Sequence, residues 1–388
     1  MRDWHKIVEA FERLCADGQP AALATVVSVE GSSYRRPGAR MLVAGDGRTW
    51  GTVSGGCLEQ DVARRARMLI VEPGNPFVIS YETDEEGGGE ETARPIVDPG
   101  PSLGCGGRIE ILIQRVTRDD SGALTALAAI VRRRIRAAVA TVIRQSAPHD
   151  DAATGAQLIQ IGDEISHYRL PDPRWRKELK NQIRQAPPDQ LYAIRRIELP
   201  DGGWLEALLE WLVPAQALAI FGGGHDVGPL VDLAKSLGWH VTVIGPRAEA
   251  GLRQRFPSAD AWISSADDPG AGAADLPADS AAVVMGHDLR RDTAALAKLL
   301  KNPRAYIGVL GPRHRTARLL AASGHAGQED RIYSPVGLDI GAETPEQIAL
   351  SILSEIQAVI AERAGGFLRD RSGPIHLNRA DLKNICHS

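Results

Sequence analysis

Residues 218–228 of the chain read LAIFGGGHDVG, and this stretch predicts a parallel α/β sheet in the second half of the protein. Its first four residues are apolar, as in a buried strand, and a run of glycines leads from them into a helix pattern. Glycine lets the backbone turn tightly between a strand and a helix. Because the N–H groups at the start of such a helix can bind a phosphate, the turn is a candidate ligand site.

From residue 217 onward the apolar pattern alternates between strand and helix periods, which is typical of a parallel sheet with helices on its faces. Thr344 and Gln347 form a capping-box signature with a proline at the first helical position, and they predict a long helix to about residue 363. We therefore predict a Rossmann-like, doubly wound parallel-sheet domain at residues 215–365, with a tail at 366–388. Further predicted strands lie at 240–244, 281–285, 305–310 and 331–333, and further helices at 228–237, 248–256, 290–300 and 313–322.

Polar residues follow or approach several of these strand ends. In a doubly wound sheet, ligands bind beyond the carboxyl ends of the strands, so these side chains are expected at a cleft. A single histidine at such a place is more often a structural hydrogen-bonding residue than a catalyst. The predicted cleft residues are Gly222, Gly224, His225, Asp226, His287, Asp288 and Asp339.

The second predicted strand ends at Gly245, where a dinucleotide-binding domain normally has an acid that binds the ribose hydroxyls. Without that carboxylate, a standard NAD-dependent dehydrogenase is a weaker interpretation, although Arg247 could hold a phosphate. The fold prediction is unaffected, and the ligand of the cleft stays open.

In the first half, residues 51–59 read GTVSGGCLE. Gly55 and Gly56 permit a tight turn, and Cys57 opens a helix predicted at 58–69, where the backbone dipoles favour the thiolate. Glu59 is a candidate acid, base or ligand beside that thiol. The alternative is that Cys57 is a small buried cysteine behind a glycine turn.

Three other segments of the first half are candidates for binding. Cys105 and Gly106 lie in a second glycine-flanked thiol turn, SLGCGG at 102–107. The loop at 31–40, GSSYRRPGAR, carries Arg35, Arg36 and Arg40, whose guanidinium groups suit an anionic ligand or, alternatively, form a solvated basic loop. The acidic, glycine-rich segment at 83–101 is predicted to be a surface excursion.

Composition places limits on the function. The chain has 388 residues, a net charge of -4 and only 5% aromatic residues, which argues against a dedicated nucleic-acid binder. Its four cysteines form no CxxC pair, and we find no signal peptide and no run of about 18 apolar residues that would span a membrane. We therefore expect a soluble protein with free thiols in the reducing cytoplasm.

An internal repeat is indicated within the predicted first domain, residues 1–214. The segment AAVATVI at 137–143 is similar to AALATVV at 21–27, which suggests repeats at 1–117 and 118–214, with chance similarity as the alternative. In that interpretation the second copy lacks the glycine-flanked cysteines and is structural. Residues 171–186 are predicted to be a polar helix or linker.

Several motifs together resemble the XdhC/CoxI family, accessory proteins of molybdenum hydroxylases such as xanthine dehydrogenase. In the first half these are ALATVVSVEGSSYRRPGARMLV, GTVSGGCLEQDV and LGCGGRIEIL. In the second half they are GGGHDVGPLVDLAKSLGWHVTV, VVMGHDLRRD, YIGVLGPRHR and SPVGLDIGAETPEQIALSILSEI. The chain departs from the family at Tyr34, where many relatives have Pro, at Gly245, where they usually have Asp, and at Gly286, where they usually have Thr.

The resemblance implies an N-terminal mixed α/β domain and a chaperone that binds the molybdenum cofactor, protects it during sulfuration and inserts it into a hydroxylase. It implies roles for Arg35 at the phosphate, for the backbone of Ser54, Gly55, Gly56 and the Cys105–Gly106 turn at the pterin, and for Cys57 or Cys105 at the metal, with Cys57 preferred. A cysteine desulfurase is a further candidate partner and a homodimer a candidate state, whereas no nucleic acid or membrane is expected. Two alternatives stay open: an NAD(P)-dependent oxidoreductase with His287 as acid or base, and a nucleotide-handling enzyme that acts on a dinucleotide form of the cofactor.

Overall fold

The computed structural model describes residues 2–31, 35–83, 107–146, 153–185, 191–200, 202–302 and 304–370. The acidic segment after residue 83, together with Cys105 and Gly106, lies outside the described residues. The chain divides into two compact units, one spanning Asp3–Pro214 and the other beginning at Ala215.

The first unit starts with a helix and a five-stranded antiparallel sheet. The strand order of this first sheet is β3-β2-β1-β5-β4, and a second helix follows β3. The elements are α1 (Arg2–Ala16), β1 (Ala21–Gly31), β2 (Arg40–Ala44), β3 (Thr49–Gly51), α2 (Glu59–Val71), β4 (Phe77–Thr83) and β5 (Gly107–Val116).

The same arrangement then occurs a second time. The second sheet is again antiparallel, with the order β8-β7-β6-β10-β9, which repeats the first order five strands later. This shared topology supports the proposal that the unit contains an internal repeat. Its elements are α3 (Ala123–Arg133), β6 (Ala137–Gln145), β7 (Gln157–Ile161), β8 (Glu164–Tyr168), α4 (Pro173–Arg184), β9 (Tyr192–Glu198) and β10 (Trp204–Leu212).

Side-chain alternation along the central strands decides how the layers pack. On β1, Ala22, Ala24 and Val26 pack against α2, because successive residues of a strand point to opposite faces. Val27, from the opposite face, packs with Leu208 of the second sheet. The second sheet buries its other face against α4 in the same way. The two sheets therefore lie face to face, with one helix on each outer surface.

Polar side chains are buried between the two sheets and pair across them. Arg40 on β2 donates to Glu210 on β10 at 2.9 Å and 2.6 Å, and the two side chains are only 1% and 2% exposed. At the equivalent positions of the other repeat, Gln157 on β7 donates to Gln114 on β5 at 3.4 Å. Strand register supports the equivalence, since Thr25 is opposite Arg40 just as Thr141 is opposite Gln157.

The position of Arg40 corrects one expectation. The sequence suggested that this arginine belongs to a loop that presents guanidinium groups to an anionic ligand. Instead Arg40 is the first residue of β2 and is buried with Glu210. A charge at this depth needs a partner, and the partner lies 170 positions away in sequence.

The second unit contains a five-stranded parallel sheet in the order β13-β12-β11-β14-β15. Helices cover both faces, since alternate residues of β11 belong to two different apolar clusters. The predicted Rossmann-like, doubly wound fold is thus confirmed. The elements are β11 (Ala217–Phe221), α5 (Val227–Ser236), β12 (His240–Gly245), α6 (Glu249–Arg255), β13 (Ala261–Ser264), β14 (Ala281–Val284), α7 (Leu289–Leu299), β15 (Tyr306–Val309), α8 (Arg313–Ser323) and α9 (Pro345–Ile360).

Of two local predictions for this unit, the capping box and the last strand, the structure agrees with the first only. The capping box at the start of α9 is confirmed, because Thr344 accepts from the Gln347 backbone while the Gln347 side chain accepts from the Thr344 backbone. The strand predicted at 331–333 is wrong, since Tyr333 makes only an isolated bridge with Gly308. Across the described ranges, no helix is both long and apolar enough to span a membrane.

The buried Arg40–Glu210 pair predicts a stability effect. Replacing Glu210 by Gln leaves the Arg40 charge buried without a counter-charge, and we expect the free energy of unfolding to fall by about 3–5 kcal/mol. The double variant Arg40→Gln/Glu210→Gln reproduces the glutamine pair of the other repeat and should recover most of this loss. Urea unfolding of the full chain, followed by tryptophan fluorescence, measures both. A loss below about 1 kcal/mol for Glu210→Gln alone would contradict the assignment.

Candidate functional site

The turn between β3 and α2 is closed by the side chain of Glu59. Its carboxylate accepts hydrogen bonds from the backbone N–H groups of Val53, Ser54, Gly55 and Gly56 at 2.9–3.2 Å and from the Ser54 hydroxyl at 2.6 Å. The Ser54 Oγ in turn accepts from the backbone N–H of Leu58 at 3.0 Å. Four consecutive amides thus converge on one carboxylate, the arrangement by which a backbone nest binds an anion.

The glycines and the charge of Glu59 explain why the turn takes this form. Gly55 and Gly56 have φ angles of 141° and 125°, a region that residues with a side chain rarely adopt. Burial raises the pKa of Glu59, but the hydrogen bonds from Ser54 and Gly55 outweigh it and bring the pKa down to about 2. Glu59 therefore holds the turn as a carboxylate, and it is a positioning residue rather than an acid or base near neutral pH.

Cys57 is exposed at the apex of this turn, two positions before α2 begins. A Cβ built on the neighbouring Gly56 would meet no atom of the described residues within 4 Å beyond its chain neighbours, so the turn is not covered by them at Gly56. The alternative that Cys57 is a buried structural cysteine is therefore wrong. Arg35 is half-buried in the loop before β2, and Cys105 and Gly106 lie outside the described residues.

A charged cluster that the sequence did not reveal fixes α2 against the sheet. Asp61 accepts from the Tyr81 hydroxyl and from Arg65 Nε, each at 2.7 Å, and also from Arg64. Burial raises the pKa of Asp61, yet its hydrogen bonds from Arg65 and Tyr81 lower it to about 2. Tyr81 lies on β4, so this cluster orients the helix whose first turn follows Cys57.

In the second unit, the glycine-rich turn after β11 places Asp226 beside His287. A Cβ built on Gly224 would lie 2.3 Å from Asp226 Oδ1 and 3.2 Å from His287 Nε2. Asp226 precedes α5 but its side chain does not cap that helix, and Oδ1 is buried with no hydrogen-bond partner among the described residues. His225 and His287 are both exposed.

Two other predicted cleft residues are placed differently. Asp288 caps α7, because its Oδ1 accepts from the backbone N–H groups of Arg290 and Arg291 at 2.8 Å and 3.1 Å. These hydrogen bonds, that of Arg291 first, lower the pKa of the Asp288 carboxyl. Asp339 is exposed in the loop before α9. Asp288 thus has a structural function as a helix cap. From its position in the sequence alone, it could equally have been a ligand-binding residue.

A partly buried ion pair, which the sequence did not reveal, joins two strand ends. Arg315 on α8 donates to Asp292 on α7, to the Gly286 carbonyl at 3.0 Å and to the Leu310 carbonyl at 3.2 Å. Burial raises the pKa of Asp292, and the Arg315 charge opposes that shift. A Cβ on Gly286 would lie 2.2 Å from Asp292 Oδ1, so a larger residue at this position would press on the ion pair.

Gly245 is closely packed. A Cβ there would be 2.9 Å from Leu252 Cδ2 and 3.0 Å from the Gly222 carbonyl oxygen. The acid of a standard dinucleotide site would therefore require the Leu252 side chain to move and the Gly222 carbonyl to shift by a few tenths of an ångström. In the described part of the chain, no group of three or more His, Cys, Asp or Glu residues is arranged to hold a metal ion.

Comparisons with known proteins match both units. Residues 218–356 match the model for the XdhC Rossmann domain, and residues 14–82 match the model for the XdhC and CoxI family. A protein of Bacillus subtilis (strain 168), described as a probable subunit of xanthine dehydrogenase, is 31% identical over 364 residues, which cover 92% of this chain and 97% of that protein. The molybdenum cofactor insertion chaperone PaoD of Escherichia coli (strain K12) is 24% identical over 374 residues, 92% of each chain.

A solved structure is similar over nearly the whole chain. It is a crystal structure of a xanthine dehydrogenase from Bacillus halodurans, with a TM-score of 0.67 and 28% sequence identity. The match covers 95% of this chain and 98% of that one, so both units have counterparts there.

The Glu59 carboxylate predicts a pH-dependent stability difference. Folding lowers its pKa from an ordinary 4.5 to about 2, so its stabilising effect is complete above the ordinary value and is lost as the pH falls through the lower one. Glu59→Gln should lower the free energy of unfolding by about 1–3 kcal/mol at neutral pH, and this difference should shrink below about pH 4. Urea unfolding from pH 3 to 8 measures it. Glu72→Gln, on an exposed carboxylate after α2, is the control, and equal behaviour of the two variants would refute the role of Glu59.

The packing around Gly245 predicts that even a methyl group is harmful there. We expect Gly245→Ala to lower the free energy of unfolding by about 1–3 kcal/mol, because the new Cβ presses on Leu252 and the Gly222 carbonyl. Gly228→Ala in α5 is the matched control, since a Cβ there meets nothing within 4 Å and should be neutral or stabilising. Thermal unfolding compares them, and a stable Gly245→Ala variant would show that an acid could be accommodated after all.

Proposed function

The chain belongs to the XdhC and CoxI family, and from that membership we propose that it is an accessory protein of a molybdenum hydroxylase. In this function it binds the molybdenum cofactor as cargo, protects it during sulfuration and inserts it into an enzyme of the xanthine dehydrogenase type. One relative is named for xanthine dehydrogenase and another as a molybdenum cofactor insertion chaperone. Both support this proposal, because each aligns with 92% of the chain.

The observation that carries the proposal at residue level is the exposed thiol of Cys57 on a turn held by Glu59. Cysteine sulfur is a soft ligand that suits a metal with sulfur chemistry. We propose that Cys57 contacts the molybdenum or its sulfur. The described residues do not cover the turn at Gly56, so a bulky cofactor can approach there.

The arrangement of the turn also restricts where the rest of the cofactor can bind. Its amides already donate to Glu59, so a cofactor phosphate at these N–H groups would have to displace a carboxylate with a strongly lowered pKa. We therefore propose that the phosphate binds the arginine loop instead, where Arg35 is half-buried and Arg36 exposed. The backbone of Ser54, Gly55 and Gly56 then shapes the surface against which the pterin lies.

The proposed partners follow from the same chemistry. A hydroxylase receives the loaded cofactor, and a cysteine desulfurase is the proposed source of the sulfur. An exposed functional thiol requires reducing conditions, so we propose the cytoplasm as the compartment. A homodimer is proposed as the assembly that delivers the cofactor.

The nicotinamide alternative is less well supported. Its usual ribose-binding acid is replaced by Gly245, whose surroundings are closely packed. The dinucleotide-handling alternative would need metal ligands for nucleotidyl transfer, and the described residues contain no such group. A nicotinamide-binding assay on the full chain separates the oxidoreductase from the chaperone.

The proposal predicts that cofactor retention depends on Cys57. Protein purified from a host that makes the molybdenum cofactor should contain molybdenum and pterin, and Cys57→Ser should lose at least about tenfold of both, because a hydroxyl is a poor soft ligand. Elemental analysis and pterin fluorescence are the measurements. Cys15→Ser, at a half-buried thiol on α1, is the control and should retain both.

Two outcomes would contradict this. If wild-type protein contains neither molybdenum nor pterin and does not bind added cofactor, the accessory function proposed from the family is wrong for this chain. If Cys57→Ser retains the wild-type content, the function survives but Cys57 is not its ligand.

A further inference from the structure

We propose that the edge strand β8 pairs with β8 of a second copy of this chain, antiparallel and about a two-fold axis at Ser166. This pairing joins the five-stranded second sheets of the two copies into one continuous sheet. It names the contact surface of the homodimer in the proposed function, and it holds or fails independently of the molybdenum chemistry.

The first observation is that β8 is an edge strand exposed on both of its faces. It is the last strand in the order of its sheet, and among the described strands it pairs with β7 alone. Glu164 and Ser166 point to one face and Ile165 and His167 to the other, and all four are exposed. Ile165 is a large aliphatic side chain and is 38% exposed. An uncovered edge with an apolar side chain is a template on which another strand can pair.

The second observation is the turn that sets the hydrogen bonding of β8. Ile161 and Glu164 are opposite each other across a two-residue turn between β7 and β8. Gly162 is the first residue of that turn and has a φ angle of 58°, as in a type II′ turn. The residues that flank such a turn exchange hydrogen bonds, and along an antiparallel ladder every second pair does so. Glu164 therefore bonds to β7.

This alternation determines which backbone groups of β8 point away from its sheet. Ser166, two positions after Glu164, again bonds to β7, whereas the N–H and C=O groups of Ile165 and His167 point outward. A two-fold axis at Ser166 places Ile165 of one copy opposite His167 of the other. Each of these two equivalent pairs then exchanges two backbone hydrogen bonds, so the outward groups of both copies are satisfied together.

The charges around β8 complement each other in this arrangement. Asp163 makes the turn end of the strand acidic, and Arg169 follows the other end, where it contacts Asp120 at 3.0 Å and keeps 34% of its side chain exposed. Arg176 adds a second cation at that end, because it lies 2.7 Å from His167. The two-fold axis places Asp163 of each copy opposite Arg169 of the other. Opposite charges at facing positions stabilise a pair of strands.

Two other edge strands of the first unit are less suited to pairing with a second copy. β3, in the equivalent place of the first half, has three residues and leads into the Cys57 turn. β9 lies at the opposite edge of the second sheet and carries Arg195 at its centre and Arg196 beside it. Pairing about that centre would place like charges opposite each other, which is destabilising. β8 combines five residues, an exposed apolar side chain and complementary ends.

The first test is analytical ultracentrifugation of the full chain between roughly 1 and 100 µM, a range that suits a short interface. We expect a monomer–dimer equilibrium. Ile165→Lys should weaken the dimer about tenfold or more, because the new charge faces His167 and the nearby Arg176 of the second copy. Leu237→Lys is the matched control, since it makes a similar change at an exposed leucine of the second unit and should dimerise as the wild type.

The second test determines the register of the pairing. Ser166 would face Ser166 of the second copy in a non-hydrogen-bonded pair with Cα atoms about 4.5 Å apart, which a disulfide can bridge. We expect Ser166→Cys to give a crosslinked dimer under mild oxidation, and Glu164→Cys, on the same face, to give much less. Both are made in a Cys57→Ser background, which removes an exposed native thiol, and that parent alone measures crosslinking through the remaining thiols.

Three results would overturn the proposal. They are a full chain that stays monomeric over the whole range, an Ile165→Lys variant that dimerises as strongly as the wild type, and equal crosslinking of Glu164→Cys and Ser166→Cys. None of these measurements uses the molybdenum or pterin content of the protein. A failure here is therefore distinct from a failure of the accessory function.

Discussion

The first unit depends on the pairing of buried polar groups between its two sheets. Arg40 and Glu210 neutralise each other in that interface, where both side chains are almost fully buried. Through Arg40 this constraint extends to the thiol turn. Gly51 pairs with Met41 on β2, and a Cβ on Gly51 would stand 2.3 Å from the Arg40 carbonyl oxygen. The strand that delivers the turn is therefore fixed closely against the strand that carries the ion pair.

Two carboxylates define the two candidate sites, and they differ in how far the chain satisfies them. Glu59 receives five hydrogen bonds from its own turn, so this turn is complete without a ligand and presents a thiol. Asp226 Oδ1 is buried and receives none among the described residues. A preorganised turn suits capture of a large cargo at one atom.

The two halves of the first unit share one strand order but differ in the turn before the outer helix. Strand order and cross-sheet positions are the same in both, but Glu210 faces Arg40 where Gln114 faces Gln157. The turn before α2 carries glycines and a thiol, whereas the helix at the same place in the second repeat begins with Asp172 as an ordinary cap and a proline. The second copy thus contributes a packing surface and the partner of Arg40 rather than a second thiol turn.

The sequence by itself determined the features that arise from neighbours along the chain. The period of apolar residues predicted the parallel sheet, and the capping box at Thr344 and the glycine turns were readable because each involves residues a few positions apart. Strands β7, β8 and β9 were missed because they are partly polar or exposed and carry a weak apolar pattern.

Only the tertiary structure decided which polar residues are structural and which are available. Arg40 looked like a ligand-binding loop arginine until Glu210, 170 positions later, was placed against it. Asp226 and Asp288 both precede helices and look alike in sequence, yet Asp288 caps its helix and Asp226 does not. The physical reason is that a buried charge or hydrogen-bonding group is satisfied by whatever the fold places within about 3 Å of it, and sequence distance carries no information about that.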